Sequence, residues 1–460
     1  MEEFISISSI KKAYFVGIGG VSMSSLAIIL KNNGTDVCGY DLYHSQNTDM
    51  LESIGITIDY EHDLKKLDGV DTVIYTAAVT KETAPELSYA EDNAIRLLTR
   101  AQLLGAVTAS FKHSVGISGT HGKSTTTGMT AAIFDCFDPE SSVIAGCILP
   151  PIKSSYKIGK SDRVVFEACE YKDSFLSMRP SLSVVLNCSL DHVDYFDGIE
   201  SIKSSFRKYV ETPRPGEKVN RALVNLDCQN SVDAVRGASA DINYYSIRSD
   251  ADFCAKNIIY NHGYGVFDLY HKGDCVIESV KLSVPGEHNV SNAVAACAAA
   301  LLTGIPPEYV KKGIESFCGV ARRFEKKGEF HGATLIDDYA HHPDEISVTL
   351  NTAKKLGYES VICVFQPHTY SRTKALMNDF AKTLAIADKV FLAEIYPARE
   401  TNIYNISSKD LAKLIDGCEY YESFGQISDV LRNFIKAGDL VITMGAGEAY
   451  KVADALLSDI

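Results

Sequence analysis

This 460-residue sequence predicts an α/β protein of three domains. Three observations carry that expectation. Short apolar runs alternate with helical patterns along most of the chain, which is the mark of parallel sheets. The length corresponds to about three domains at roughly 150 residues each. The pattern breaks near residues 108 and 322, dividing the chain into 1–108, 109–322 and 323–460.

The first domain reads in order. "KAYFVGIGG" is a strand running into a glycine turn, and "VSMSSLAIILKNNG" is a helix that stops at Gly34. "DVCGYD" and "DTVIYTAAV" are two further strands. Strand, helix, strand at this spacing is a Rossmann-like unit. In the second domain "HSVGIS" is a strand, "KSTTTGMTAAIFDCF" a helix, and "RVVFEA" and "LSVVLN" buried strands. "YGVFDLYHKGDCVIESVKLSV" reads as hairpin strands, so the central sheet is mixed. "HNVSNAVAACAAALLTG" is a long helix of small residues ending at Gly304. In the third domain the strands "ATLIDD", "SVICVFQ", "KVFLAEIY" and "DLVITMGAG" are separated by helices such as "DEISVTLNTAKKLG", giving a second Rossmann-like unit.

Composition narrows the function. The 45 basic and 59 acidic residues give a net charge of −14, with no long basic run, which argues against nucleic-acid binding. An anionic ligand must therefore be held by locally placed donors. The 12 cysteines are scattered and form no CxxC pair, as expected for reduced thiols in a cytoplasmic protein. The N-terminus has acidic residues and no long apolar region, so it does not read as a signal peptide. No run reaches about 18 apolar residues, so no membrane span is expected.

The segment "GISGTHGKSTTTG" lies between the strand "HSVGIS" and a helix. The usual phosphate loop, G-x-x-x-x-G-K-[ST], would need a glycine at position 117, where the chain has Ile117. Every physical part is nonetheless present. Gly119 and Gly122 permit a tight backbone path, the helix N-terminus points N–H groups at an anion, Lys123 can reach outer phosphates, and Ser124 offers a hydroxyl to Mg²⁺. This P-loop predicts a nucleoside triphosphate ligand, ATP, held by Gly119, Thr120, His121, Gly122, Lys123, Ser124 and Thr125. Glu167 and Glu170 end the strand of "VVFEACEY", and Asp191, His192 and Asp194 follow the strand of "VVLNCSLDHVDYF". Strand ends of such a sheet are where ligands bind. ATP carries about four negative charges, so an anionic nucleophile needs cations to approach it; Glu170 and His192, with Ser124, are the candidates to hold Mg²⁺.

Two more clusters lie at strand ends in the third domain. "LIDDYAHHPDEI" supplies Asp337, Asp338, Tyr339, His341 and His342, and "FQPHTYSRTKAL" supplies His368 and Arg372. Tyr339, His341, His368 and Arg372 can orient an amino acid, with Arg372 taking its carboxylate. In the first domain, Gly17, Gly19 and Gly20 form the turn after the first strand, and Asp41 follows the second. A G-x-G-x-x-G reading puts Ser22 at the third glycine, and by itself the turn would suggest a nicotinamide dinucleotide.

The short loop G-T-H-G-K-S resembles that of the Mur ligases, the ATP-dependent amide-forming enzymes of peptidoglycan precursor synthesis. The resemblance extends from Gly17 to "TMGAGE" and implies several roles. Glu170 of an E-A-x-E motif and His192 of a D-H motif hold Mg²⁺, with Cys169 in place of the common Asp. Asn292, in "PGEHNVSN", lies at the adenine. Arg323, in "GVARRFE", reaches the ATP phosphates, and Asp338 joins it as a nucleotide partner. "GIGGVSM" binds the diphosphate of a UDP-sugar, with Gly17, Gly19, Gly20 and Asp41 as contacts. The first, second and third domains then bind UDP-sugar, ATP and amino acid, and a hinge near 322 closes them. The motifs "DDYAHHP", "FQPHTYSR" and "EIYPARE" imply the members that join L-alanine to UDP-N-acetylmuramate. A recycling member that attaches a tripeptide to the same sugar shares D-D-x-x-H-H-P and is the alternative. The reaction implied is phosphorylation of the sugar's carboxylate by ATP, then attack by the amine. His341 is one possibility for the base.

Overall fold

A computed structural model describes residues 5–76, 79–192, 195–398 and 400–458. It contains three sheets. The first has strands β1 (Lys12–Val16), β2 (Asp36–Tyr40), β3 (Thr57–Asp59), β4 (Thr72–Tyr75) and β5 (Arg96–Thr99), all parallel, in the order β3-β2-β1-β4-β5. The chain reverses direction across β1, so the crevice beyond its C-terminal end is the switch point of the sheet. The helix Val21–Asn32 starts there. It stops at Gly34, whose φ of +86° ends the helix while Thr35 N–H bonds back to Leu30 O.

The second sheet has β6 (His113–Ser118), β7 (Ser142–Leu149), β8 (Ser154–Lys157), β9 (Arg163–Glu167), β10 (Leu182–Val185), β11 (Asn220–Asn225), β12 (Ala240–Ser246), β13 (Phe253–Asn261), β14 (Tyr264–His271) and β15 (Asp274–Pro285). Their order is β15-β14-β13-β12-β11-β10-β6-β9-β7-β8. β6 lies at its centre, parallel to β9 and β10, while β7 and β8 pair antiparallel, so the sheet is mixed as expected. The third sheet has β16 (Glu325–Phe330), β17 (Ala333–Asp338), β18 (Val361–Phe365), β19 (Lys389–Leu392), β20 (Glu419–Tyr420) and β21 (Leu440–Met444), in the order β16-β17-β21-β18-β19-β20, with only β16 antiparallel.

The three sheets are those of the three α/β domains expected from the sequence, and they group into larger units. The chain divides into two compact units: Met1–Asn257, Phe267–Val280 and Val290–Phe317 form one, and Ile258–Val266, Lys281–Asn289 and Cys318–Ile460 the other. The first two sheets share a unit because one core runs through both. Leu26 and Ile74 of the first belong to the same buried cluster as Leu103, Phe166, Phe175 and Tyr209. Gly105, in the helix Arg100–Ala109, seals the joint. A Cβ there would lie 2.0 Å from Ser177 O, so only glycine permits the approach. Phe175 stacks on Tyr209 at 4.7 Å and meets Phe206 edge-on at 5.2 Å. Its removal to alanine would cost about 3–5 kcal/mol. The second unit has its own two clusters, one on each face of the third sheet's inner strands, around Ile336, Phe365 and Phe380 and around Leu335, Val364 and Phe391. All 12 cysteines are free. Among the described residues, no helix is long and apolar enough to cross a membrane.

Candidate active site

The loop after β6 carries the glycines its path requires. Gly119 has φ +140° and Gly122 φ +84°, regions that side chains with a Cβ avoid. A Cβ on Gly119 would fall 3.0 Å from that of Leu186, and one on Gly122 would fall 2.7 Å from Asn292 Oδ1. Asn292 therefore lies against the loop. Asn187, which sequence reasoning did not reach, clamps the other side. Its Oδ1 accepts from His121 N–H at 2.8 Å and its Nδ2 donates to His121 O at 2.9 Å. Ser189 N–H donates to Thr120 Oγ1 at 2.9 Å. The signal for Asn187 was a polar residue ending the apolar run "LSVVLN", which fits a turn equally well.

Lys123 opens the helix Lys123–Phe137 and turns back over the loop. Its Nζ donates to Gly119 O at 2.5 Å, to Thr120 O at 3.1 Å and to both oxygens of Glu170 at 3.1 and 3.0 Å. Burial opposes the charge on Lys123, but the adjacent Glu170 carboxylate outweighs it, and the ammonium pKa is raised. Glu170 is 2% exposed. Glu167 points elsewhere and accepts the Gly146 N–H at 2.6 Å, so it anchors β7 and leaves Glu170 to face the loop. His192 Nε2 stands 3.9 Å from Glu170 Oε1 and 3.9 Å from Asp191 Oδ2, with the ring tilted against Tyr171 at 4.6 Å. Its φ of +51° is strained for a non-glycine residue, as is common where a side chain is held for function. Ser124 and Thr125 follow in the first helical turn, both half-buried. Asp194 lies outside the described residues.

In the glycine turn of the first sheet, Gly17 has φ +80° and Gly20 caps the helix Val21–Asn32. Asp41 Oδ2 accepts the Gly19 N–H at 2.7 Å, and a Cβ on Gly19 would lie 2.9 Å from that oxygen. One oxygen of Asp41 thus fixes the turn.

The second unit gathers the other predicted residues. His341 and His368 meet edge to face at 5.6 Å, Tyr339 meets His341 at 5.2 Å, and Arg372 Nη1 lies 3.4 Å from His368 Nδ1. Burial lowers the pKa of both imidazoles, to about 4 for His368, where the neighbouring His341 and Arg372 add to the effect. Both rings are neutral near pH 7. Their tautomers follow from their partners. His341 Nδ1 lies 3.0 Å from Tyr339 O, which only accepts, so Nδ1 carries the proton and Nε2 a lone pair. His368 Nδ1 faces a guanidinium, which only donates, so its proton is on Nε2. Thr369, between them and Arg372, has φ +65° and ψ +147° and is pinned by its N–H to Tyr396 O at 2.9 Å. Glu400, not singled out in the sequence, bonds both the N–H and the hydroxyl of Ser371. Arg399 of "EIYPARE" lies outside the described residues.

The sequence could not rank Arg322 against Arg323 by chemistry, but the structure separates them. Arg322 is consumed by Asp337 at 3.1 Å and by the carbonyls of Gly445 and Gly447, between the rings of Tyr339 and Tyr450. Arg323 lies over Tyr339 with Glu345 Oε1 at 3.7 Å and keeps a third of its side chain exposed. Asp338 accepts the N–H groups of Phe324 and Ala340, so it holds the turn that carries Arg323. Burial raises its carboxyl to about 6, against the pull of Arg323.

Three family models match the chain in succession: "Mur ligase family, catalytic domain" over residues 12–112, "Mur ligase middle domain" over 117–300 and "Mur ligase, glutamate ligase domain" over 322–447. The chain is 43% identical to the UDP-N-acetylmuramate–L-alanine ligase of Caldicellulosiruptor saccharolyticus over 97% of its own length and 98% of the relative's. It is 40% identical to the protein of that name from Clostridium acetobutylicum, over 97% and 98%. Among solved structures it is similar to the UDP-N-acetylmuramate-alanine ligase of Thermotoga maritima, with a TM-score of 0.77, 25% identity, and coverage of 97% and 98%. A murein peptide ligase of Psychrobacter arcticus shares the fold, with a TM-score of 0.66 and 22% identity over 97% and 98%.

Proposed function

The chain belongs to the Mur ligase family, and from that premise we propose that it joins L-alanine to UDP-N-acetylmuramate with cleavage of ATP, in peptidoglycan precursor synthesis. The observation that carries the reading is the position of Lys123, between the phosphate-loop carbonyls and the carboxylate of Glu170. The choice of alanine over a tripeptide is supported by the names of relatives 40–43% identical along nearly the whole chain.

A carboxylate and an amine at neutral pH form a salt, so the acid must first be activated. A lactyl oxygen bonds to the γ-phosphorus as the bond to the β,γ-bridging oxygen breaks, giving an acyl phosphate and ADP. The alanine nitrogen then attacks the acyl carbon and loses a proton, and phosphate leaves. Lys123 exchanges Glu170 for β- and γ-phosphate oxygens. The hydroxyl of Ser124, the carboxylate of Glu170 and the imidazole of His192 fit a divalent cation in donor type. A Mg²⁺ held by these three residues would supply positive charge to offset that of the transferred group. In the second unit Arg372 and the Nε2–H of His368 take alanine's carboxylate, and the Nε2 lone pair of His341 takes a proton from its amine.

The test is mass analysis of products from ATP, UDP-N-acetylmuramate and a mixture of amino acids and the tripeptide. A single alanyl adduct, formed with equimolar ADP, is the expected result. A tripeptide adduct, or ADP released without either substrate, sinks the reading.

A further inference from the structure

Glu345 stands between His341 and Arg323. It is the third residue of the helix Pro343–Lys354, whose N-cap is His342. A glutamate at that position ordinarily reaches back to the N–H of the cap itself. Glu345 reaches one residue further. Its Oε2 accepts the His341 N–H at 3.2 Å and lies 3.3 Å from Nδ1 of the same residue. One oxygen thus holds both the backbone and the ring of His341. The other, Oε1, lies 3.7 Å from Arg323 Nη1. The side chain of Glu345 is 17% exposed, so solvent screens these contacts little.

The proton on His341 Nδ1 therefore has two acceptors, Tyr339 O at 3.0 Å and Glu345 Oε2, and only the second is charged. The charged and titratable groups that face the ring are Glu345 from the helix Pro343–Lys354, His368 and Arg372 from the segment after β18, and Arg323 from the segment before β16. Burial and the two guanidinium groups hold the imidazole pKa down, and Glu345 is the largest pull upward. A ring so depressed has a free lone pair but holds a proton poorly. A carboxylate at the opposite nitrogen corrects this, because it stabilises the imidazolium. Resting on the reaction proposed above, we infer that Glu345 is a positioning residue for amide formation: it keeps the His341 proton on Nδ1 and offsets the charge that forms when Nε2 takes a proton from the alanine amine. The amine N–H bond breaks as the Nε2–H bond forms, and the imidazolium then releases that proton to solvent. Arg323, at the other oxygen, gives the carboxylate a counter-charge while the ring is neutral.

The test combines the pH dependence of kcat with NMR titration of the His341 ring in the histidine-labelled full chain. The wild type, Glu345→Gln and Glu345→Asp are compared, and His341→Asn assigns the resonance. Glu345→Gln keeps the shape and removes the charge. It should lower kcat about 10- to 100-fold and leave the KM for alanine and for ATP unchanged. Both the ring titration and the acid limb of the kcat profile should move to lower pH. The double variant Glu345→Gln/His341→Asn should be no slower than His341→Asn alone. An unmoved ring titration overturns the inference. So does a fall in kcat that persists undiminished in the His341→Asn background. A rise in the KM for ATP as the main effect also overturns it, since Glu345 would then act through Arg323 alone. If Glu345→Gln does not fold, Glu345→Asp draws the charge back by one carbon and should move the ring titration in the same direction; no movement there is the overturning result. A wild type that joins no amino acid to the sugar refutes the function itself, and the ring titration still decides whether Glu345 supports His341.

Discussion

At the phosphate loop, Lys123 meets its counter-charge inside the protein: Glu170 lies 3.0 Å away and nearly all of both side chains is buried. In the cluster of the second unit, Arg372 meets a neutral imidazole nitrogen at 3.4 Å, and no ion pair to Arg372 exists among the described residues. The first site is electrically closed and must be opened by its ligand. The second keeps a cation and an N–H donor ready for a carboxylate. The backbone follows the same division. Gly119 and Gly122 let the loop bend without strain, whereas Thr369 takes a comparable conformation with a β-branched side chain.

The largest test of this contrast removes one member of the closed pair. Lys123→Met and Glu170→Gln should each lower kcat by about 10²–10³. Lys123→Met should also cost about 3–5 kcal/mol of stability, because it strands a buried carboxylate. The double variant Lys123→Met/Glu170→Met should recover most of that stability and none of the activity, as read by denaturant midpoint and ADP release. A single variant as stable as the wild type would break the comparison. The second site should behave differently. Arg372→Ala should raise the KM for alanine about 10- to 100-fold without loss of stability or change in the KM for ATP. A fall in melting temperature like that of Lys123→Met would show that Arg372 is as internally committed as Lys123.

How much of this was legible depends on the distance over which each signal acts. The strands β1, β6, β17, β18 and β21 and the helix Lys123–Phe137 were readable because their apolar runs and bounding glycines are local. The hairpin β7–β8 was not, since "SSVIAGCILPPIKSSYK" has no clear alternation. Lys123, Glu170, His341 and His368 were found from motifs at strand ends. Asn187, Glu345 and Glu400 were not singled out, because each acts on a segment remote in sequence. The union of the first two sheets was invisible for the same reason. It rests on Gly105 meeting Ser177, a contact that periodicity cannot report.

Smaller effects sharpen the backbone half of the contrast. Gly122→Ala should cost about 1–2 kcal/mol and weaken ATP binding, because φ is +84° and the new methyl meets Asn292. Thr369→Gly should do the reverse and raise stability by up to about 1 kcal/mol, the relief of strain being partly cancelled by the freer unfolded chain. Loss of stability in Thr369→Gly would mean that the threonine side chain outweighs its strain.

A last effect is on pH dependence. The folded pKa of His368 is about 4, against about 6.5 when unfolded, so between these values the unfolded chain binds more protons. Stability from this group is complete above pH 6.5 and is lost as pH falls towards 4. Asp338, raised to about 6, works in the opposite sense between about pH 4 and 6, so the two partly cancel in the wild type. His368→Asn isolates the first. The wild type should lose more stability than this variant between pH 6.5 and 4.5 in urea titrations. Equal losses would show that His368 is not held neutral by its surroundings.

The core that runs unbroken from Leu26 to Tyr209 has a consequence for how this enzyme can be altered. The first sheet is not a cassette. A chimaera that took the first sheet from a relative would have to match Gly105, Ser177 and Phe175 as well as its own packing, and the second unit has no single junction at which to cut, since Ile258–Val266 and Lys281–Asn289 belong to it. Exchange of parts between relatives is therefore limited by a buried joint rather than by where one sheet ends and the next begins.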